Sequence, residues 1–421
     1  MIFQNQYQDK FKLKKNIYIL DYLKGTLQKY PLDERVELIN DEESKYLDNS
    51  YKKYSYRLNP SVLSIALIPT YNCNMKCIYC YEGNLTIMKE RMLSSDIDNI
   101  IKYIKKIYDE GSFSEINFSL LGGEPITKDN IKWFNDFFIE FKKLNLKFNI
   151  SCISNGLEIR DNIEYILDMK LSHIQLTLDG LEKTHNYRKK SKIKGLNPYN
   201  GVINTVDILL ESKIYTSLRM NVDMYNVSEI IKINSLINEK GWNKSKFFDA
   251  YLYPVTQSSD SNSKKYISET LLFEKVLNEL SKLNTSDNNL SLDFHGVDFV
   301  DSLLRKEIFV PKNKFCASCS SQYVFDCKGN IYTCWWGASK SEFIIGNFRK
   351  DNFDSEKVKA WHYHDVNNIE NCISCKYKYI CGTGCVFKSY SREKTLNVGN
   401  CSDFYNIIKL YLSYLESEGM L

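Results

Sequence analysis

At 421 residues the chain is long enough to bury a large core, and its 26% charged and 43% hydrophobic residues exclude a disordered chain. The formal net charge of +4 is spread over interspersed signs, with no basic block to address nucleic acid, and no run of eighteen apolar residues offers a membrane span. The opening MIFQNQYQDKFKLKKNIYILDYL lacks the apolar core of a signal peptide, so a cytoplasmic protein is expected, in which thirteen cysteines point to metal ligation rather than disulfides.

Residues 1–60 read as an N-terminal extension, in which NIYILDYLKGTLQKYPLD predicts two short strands around a turn at Lys24 and Gly25. Residues 61–255 are more regular. Ser61 to Pro69 predicts a buried strand, Ser94 to Gly111 a capped helix, and EINFSLL a strand ending in Gly122, Gly123, Glu124 and Pro125. DNIKWFNDFFIEFKKL follows as a helix, then KFNISCI as a strand ending in Ser154, Asn155 and Gly156.

The alternation continues with a helix near 162–169, strand HIQLTLDG, helix 202–211, strand YTSLRMNVD, helix 227–239 and a last strand near 248–253. Six strands alternating with helices predict an α/β fold, a parallel sheet curled into a partial (β/α)6 TIM-like barrel. All the polar punctuation follows strands, so it should open on one face, where such folds carry their chemistry. Residues 256–311 read as a linker (Thr256 to Lys265) followed by a helix from about Glu269 to Leu283. Nine of the thirteen cysteines then fall between Cys316 and Cys401, which marks 312–421 as a second, metal-built domain.

Within PTYNCNMKCIYCY, Cys73, Cys77 and Cys80 stand on one short loop, with Tyr79 before the last. Three thiolates can hold three irons of a four-iron cluster and leave the fourth open; a zinc site would want a fourth ligand, and none is nearby. The spacing C-x3-C-x2-C with an aromatic before the last cysteine resembles the radical S-adenosylmethionine (radical SAM) superfamily.

The resemblance implies that the methionine moiety of S-adenosylmethionine chelates the open iron of a [4Fe–4S] cluster. Electron transfer then releases a 5′-deoxyadenosyl radical that abstracts hydrogen from substrate. It assigns Cys73, Cys77 and Cys80 to the catalytic cluster and Tyr79 to a wall for the adenine. Gly122, Gly123 and Glu124 resemble the segment that meets the methionine ammonium, glycines for close approach and a carboxylate for the amine. Ser154 and Asn155, then Thr177, Leu178, Asp179 and Gly180 with His185 and Arg188 following, resemble two further segments. Thr177 is expected at the cofactor, Asp179 and Arg188 at the substrate. Turn chemistry at strand ends is the competing explanation for each. His173 and His295 read as structural.

Cys372, Cys375, Cys381, Cys385 and Cys401 resemble in spacing the SPASM domain, named for subtilosin, pyrroloquinoline quinone, anaerobic sulfatase and mycofactocin maturation. Its earlier part matches Cys316 or Cys319, Gly329 and Cys334. The resemblance implies two auxiliary [4Fe–4S] clusters, one on Cys316, Cys319, Cys334 and Cys385, the other on Cys372, Cys375, Cys381 and Cys401. Gly382 and Gly384 would let the chain bend between ligands. Cys152 reads as core and Cys327 as a turn residue, though it could replace Cys319. With three clusters loaded, the net charge would fall to roughly −1, which removes any case for nucleic acid from basicity.

Sulfatase maturases carry an Asp after the cysteine of the Gly-x4-Cys element, where this chain has Trp335 and Trp336. That pair would line a dry pocket for a substrate side chain, or pack as ordinary core. The expected activity is therefore maturation of a ribosomally made peptide, by a thioether or carbon–carbon crosslink, with a flavodoxin- or ferredoxin-type electron donor. The N-terminal sixty residues would help hold a leader peptide by strand addition. Formylglycine formation in a sulfatase is the alternative. An electron carrier or scaffold would need the cysteines but not the polar strand ends.

Overall fold

The structure, a computed structural model, describes residues 7–36, 42–54, 61–255 and 267–421. The chain opens with an antiparallel three-stranded sheet, β1 (Gln8–Lys12), β2 (Asn16–Asp21) and β3 (Thr26–Pro31), followed by helix α1 (Glu42–Tyr54). Strands β2 and β3 flank the turn expected at Lys24 and Gly25, and Gly25 takes the left-handed φ of +63° that the turn requires. Strand β1 is an addition to the sequence reading; its alternation over five residues is too short to signal by itself.

The main unit begins at β4 (Val62–Ile68), apolar on both faces as a central parallel strand must be. The short β5 (Met75–Cys77) lies in the cysteine loop, and helix α2 (Ile97–Glu110) buries Ile97, Ile100, Ile104 and Ile107 at helical spacing. Then come β6 (Glu115–Leu120), α3 (Lys128–Lys142), β7 (Phe148–Ile153), α4 (Ile163–Met169), β8 (His173–Thr177) and α5 (Glu182–Arg188). The series goes on through β9 (Lys189–Ser191), α6 (Pro198–Glu211), β10 (Tyr215–Val222), α7 (Ile230–Lys240) and β11 (Phe248–Pro254). In α3 the Thr127 hydroxyl caps the Asn130 N–H, and Phe137, Phe138 and Phe141 pack edge-on against Phe118 of β6 at 4.9–5.9 Å. That aromatic wedge fixes the helix on the sheet.

The six expected strands β4, β6, β7, β8, β10 and β11 pair in parallel, each beside the next. The expected linker at Thr256 to Lys265 lies outside the described residues. Beyond it, α8 (Glu269–Leu280), the two-residue β12 (Ser291–Leu292) beside β11, and α9 (Val297–Leu304) lead to the cysteine-rich region.

Strand β13 (Gln322–Asp326) of the C-terminal region pairs in parallel with β4, from Gln322 opposite Ser64 to Asp326 opposite Ile68. β14 (Asn330–Tyr332), β15 (Gly346–Asn347) and β16 (Asn352–Phe353) extend the sheet antiparallel to eleven strands. Helices α10 (Ser355–His362), α11 (Glu370–Ile373), α12 (Lys378–Cys381), α13 (Val386–Glu393) and α14 (Phe404–Ser417) complete the chain. One hydrophobic core runs through the parallel sheet into this region. A smaller one joins Tyr7 and Leu23 of the N-terminal part to Ile369, Cys372 and Tyr379.

Candidate active site

Four loops leave the C-terminal ends of β4, β6, β7 and β8, and their residues touch. All thirteen cysteines are free thiols. Cys73 is buried and Cys77 and Cys80 are half-buried. The loop that carries them is tied down by its own backbone and by α5 and β9. Cys77 pairs with Lys189 in the β5–β9 ribbon, Ile78 N–H donates to Arg188 O at 2.9 Å, and Lys192 Nζ donates to the carbonyls of Cys73 (2.9 Å) and Thr86 (2.8 Å). Burial first, and then Glu124 and the charges of the other two thiols, push Cys73 up to about 12; burial also pushes Cys77 up to about 11. Thiols that raise one another in this way, on one loop, fit a three-point attachment to an iron–sulfur cluster.

The Gly-Gly-Glu turn locks onto that loop. Gly123 N–H donates to Thr70 O at 3.1 Å and Glu124 N–H to Asn72 O at 3.0 Å. A Cβ on Gly123 would lie 2.1 Å from Asn72 O, and one on Gly122, at φ +124°, 2.4 Å from Thr70 O. The close approach that these glycines permit is to the backbone leading into the cysteines. Glu124 is buried, its Oε1 accepting from the Ser154 hydroxyl (2.7 Å) and Ile126 N–H (2.9 Å), its Oε2 from Asn155 N–H (2.8 Å). Burial pushes its carboxyl up to about 7 against the pull of these donors. Ser154 and Asn155 thus position Glu124, and Asn155 Nδ2 reaches on to Asn74 Oδ1 (2.7 Å) and Cys73 Sγ (3.8 Å).

Thr177 closes β8, buried, opposite Arg219 of β10. Asp179 and Arg188, expected to face substrate, are 0% and 1% exposed and bound to each other, Nε to Oδ2 at 3.3 Å. Tyr79 donates its hydroxyl to Asp179 Oδ2 and accepts from Asn221 Nδ2 at 3.1 Å. Asn221 N–H donates to Asp179 Oδ1 at 3.2 Å, and the Arg188 guanidinium also pairs with Asp223 (2.6 Å) and covers the Tyr79 ring at 5.0 Å. These residues form a closed network behind the cysteine loop. Asn221 and Asp223, which complete it, had no motif to mark them. His173 and His295 are engaged by Ser217 and Glu269.

The C-terminal thiols fall into two groups. Cys316 and Cys319 share the Ser318 hydroxyl, at 2.9 and 3.9 Å, and Cys334 feels the charges of Cys385 and Cys316. Cys381 feels Cys372, Cys375 and Cys401. Cys327 is buried beside Asp326 and Tyr71, apart from both groups, and Cys152 sits in the core of β7. Between Cys381 and Cys385 the chain turns through three left-handed residues, Gly382 (φ +66°), Thr383 (+83°) and Gly384 (+71°), the last with Asn400 O only 2.0 Å from where a Cβ would stand. Among the described residues no three His, Cys, Asp or Glu side chains close on a single metal ion.

One contact joins the two cysteine regions. Tyr81, next to Cys80, stacks on Trp336 at 4.8 Å, and Trp335 and Trp336 follow Cys334. Burial, then Glu82, Cys80 and Cys334, push the Tyr81 hydroxyl up, so thiols of both regions lie within electrostatic reach of one ring. No helix among the described residues is long and apolar enough to cross a membrane.

Comparison with known proteins gives this geometry a context. Residues 67–237 match the family model described as the radical SAM superfamily. A cysteine-type anaerobic sulfatase-maturating enzyme of Clostridium novyi (strain NT) is 25% identical over 363 residues, covering 82% of this chain and 92% of that enzyme. The fold resembles native anSMEcpe with bound AdoMet (TM-score 0.62, 19% identity, 84% of this chain and 96% of that one). It also resembles Streptococcus suis SuiB bound to precursor peptide SuiA (TM-score 0.54, 16% identity, 96% of this chain and 99% of that one). These likenesses identify the parallel sheet as the expected partial barrel with its cysteine-rich C-terminal region.

Proposed function

Since the chain is a radical SAM enzyme by its domain at residues 67–237, we propose that it matures a ribosomally made peptide, forming a thioether or carbon–carbon crosslink. The observation that carries this reading is the stack of Tyr81 on Trp336, which sets the three-thiol loop and the Cys334 group on either side of one cleft. A substrate in that cleft would meet both.

Cys73, Cys77 and Cys80 would hold the [4Fe–4S] cluster of the domain, with S-adenosylmethionine beside Glu124. When bound, the two supply a 5′-deoxyadenosyl radical that takes a hydrogen atom from substrate. This chain's part is positional. Ser154 and Asn155 orient Glu124, the Tyr79, Asp179 and Arg188 network backs the cysteine loop, and Trp335 and Trp336 exclude water from the cleft. Asp179 and Arg188 would act on substrate through the loop they support. The two C-terminal groups would hold closed auxiliary clusters that pass electrons, with a flavodoxin- or ferredoxin-type donor outside.

Formylglycine formation in a protein substrate is the second reading, favoured by the similarity to the Clostridium novyi enzyme. Trp335 stands where the resemblance calls for an Asp, which weighs against it.

Anaerobic reconstitution and reduction test the proposal. The protein should convert S-adenosylmethionine to 5′-deoxyadenosine and shift the mass of a short peptide encoded beside its gene. Cys77→Ala should abolish both, whereas Cys375→Ala should keep cofactor cleavage and lose product. Modification of a sulfatase-derived peptide instead would favour the second reading, and identical behaviour of the two variants would contradict the division of roles.

A further inference from the structure

The cleft between the two cysteine regions contains a cavity of about 230 Å³, walled by Tyr71, Tyr81, Trp335 and Trp336, with Glu82 and Lys340 also lining it. Its volume is below the roughly 300 Å³ at which small-molecule pockets begin, which suits one amino-acid side chain rather than a nucleotide. Glu82 is the unusual member. It is 7% exposed, and its Oε1 is buried with no hydrogen-bond partner among the described residues.

No local role uses up this carboxylate. Its backbone carbonyl accepts from Leu85 N–H at 2.9 Å to start a short turn, but the side chain makes no capping bond. The contrast is Glu124, also buried but held by three donors. Lys340, the cation on the wall, directs its ammonium over the Phe387 ring at 5.8 Å. A buried carboxyl group without a hydrogen-bond partner is costly and is ordinarily completed by a ligand. Four aromatic residues line the cavity with it, and an aromatic ring carries on its faces the negative potential that attracts a cation. Charge and walls therefore select the same kind of guest.

We propose that this pocket binds a cationic side chain of the peptide substrate, an ammonium or guanidinium, with Glu82 as its counter-charge and Tyr81, Trp335 and Trp336 as its aromatic walls. The inference rests on the peptide reading and deepens it. A lysine or arginine anchored here would set its neighbours in the sequence against the cysteine loop, so Glu82 determines which residue of the peptide is presented.

The test is a calorimetric titration of the cluster-loaded protein with n-butylammonium, a lysine side-chain analogue, and with 1-butanol, its neutral counterpart. The ammonium should bind about tenfold or more tightly than the alcohol, because a charge-assisted pair is lost in the alcohol. Glu82→Gln should remove most of the preference, and Trp336→Leu should reduce it by a smaller factor; iron content establishes that each variant is loaded. Equal affinity of the two probes for the unaltered protein overturns the proposal, as does a preference that survives Glu82→Gln undiminished. The comparison of probes on the unaltered protein needs no variant to fold. Failure of the peptide reading would appear separately, as cofactor cleavage without any modified peptide, and would leave the titration untouched.

Discussion

His185 shows how burial rather than a motif decides what a residue does. It follows the Leu178–Gly180 turn at the distance the radical SAM resemblance calls for, yet it is 0% exposed, its Nδ1 accepting from Asp179 N–H at 3.2 Å. Burial, then the positive charge of Lys189, holds its pKa down to about 3. An ordinary imidazole titrates near 6.5, so as pH falls below that value the unfolded chain takes a proton that the folded chain refuses. Stability from this residue is full above about pH 6.5 and declines below it, by up to about 1.4 kcal/mol per pH unit. His173, His362 and His364 are shifted in the same direction by burial. Glu124, raised by burial, acts in the opposite sense over the same range, so the test is a difference: between pH 7 and pH 5.5 in anaerobic buffer the thermal midpoint of His185→Asn should lose less, or gain more, than that of the unaltered protein. Residue identities at the cysteine loop and at Glu124 were legible because their spacing and strand-end placement are local. Asn221, Asp223 and Glu82 were not, because their importance comes from neighbours about 35 to 250 positions away.

At the scale of elements, the six parallel strands were legible from alternating apolar runs and polar ends. The two-residue β12, β15 and β16 were not, because strands so short carry no period. The Gly382, Thr383, Gly384 turn is a case where sequence and structure meet: two glycines between cysteines suggested a bend, and the bend proves to be left-handed at three consecutive residues. Gly384→Ala would place a Cβ 2.0 Å from Asn400 O. That shift moves Cys385 against one thiol group and Cys401 against the other. The expected outcome is a loss of about four irons per chain or more, with 5′-deoxyadenosine formation retained. Gly195→Ala, at φ +84° but with nothing within 4 Å, should lower stability by only about 1 kcal/mol and keep its iron. Iron assay and thermal melting of the two variants separate crowding from backbone strain.

Across the whole molecule, the N-terminal sheet and α1 are fastened to the segment between Cys375 and Cys381. Asp9 of β1 accepts from the hydroxyls of Tyr22 (2.8 Å) and Tyr377 (2.7 Å) and pairs with Lys376, while Asp48 of α1 pairs with Lys378 at 3.0 Å and accepts from Tyr379 at 2.9 Å. A recognition element that adds a strand of peptide to this sheet would thus pull on residues between two cysteines of the Cys372, Cys375, Cys381 and Cys401 group. Asp9→Asn should lower stability by about 2 kcal/mol and speed release of iron to a chelator, measured by melting and by the rate of chelator colour. The joining of β13 to β4 bears on how the chain is made. Until the ribosome has passed residue 326, β4 stands as an open sheet edge with no neighbour on one side, directly ahead of the three cysteines. A nascent chain in that state would be vulnerable to strand pairing with other chains, and the cysteine loop gains its final frame only when the last quarter of the protein emerges. Insertion of the first cluster should accordingly be a late event in synthesis, after most of the chain has left the ribosome.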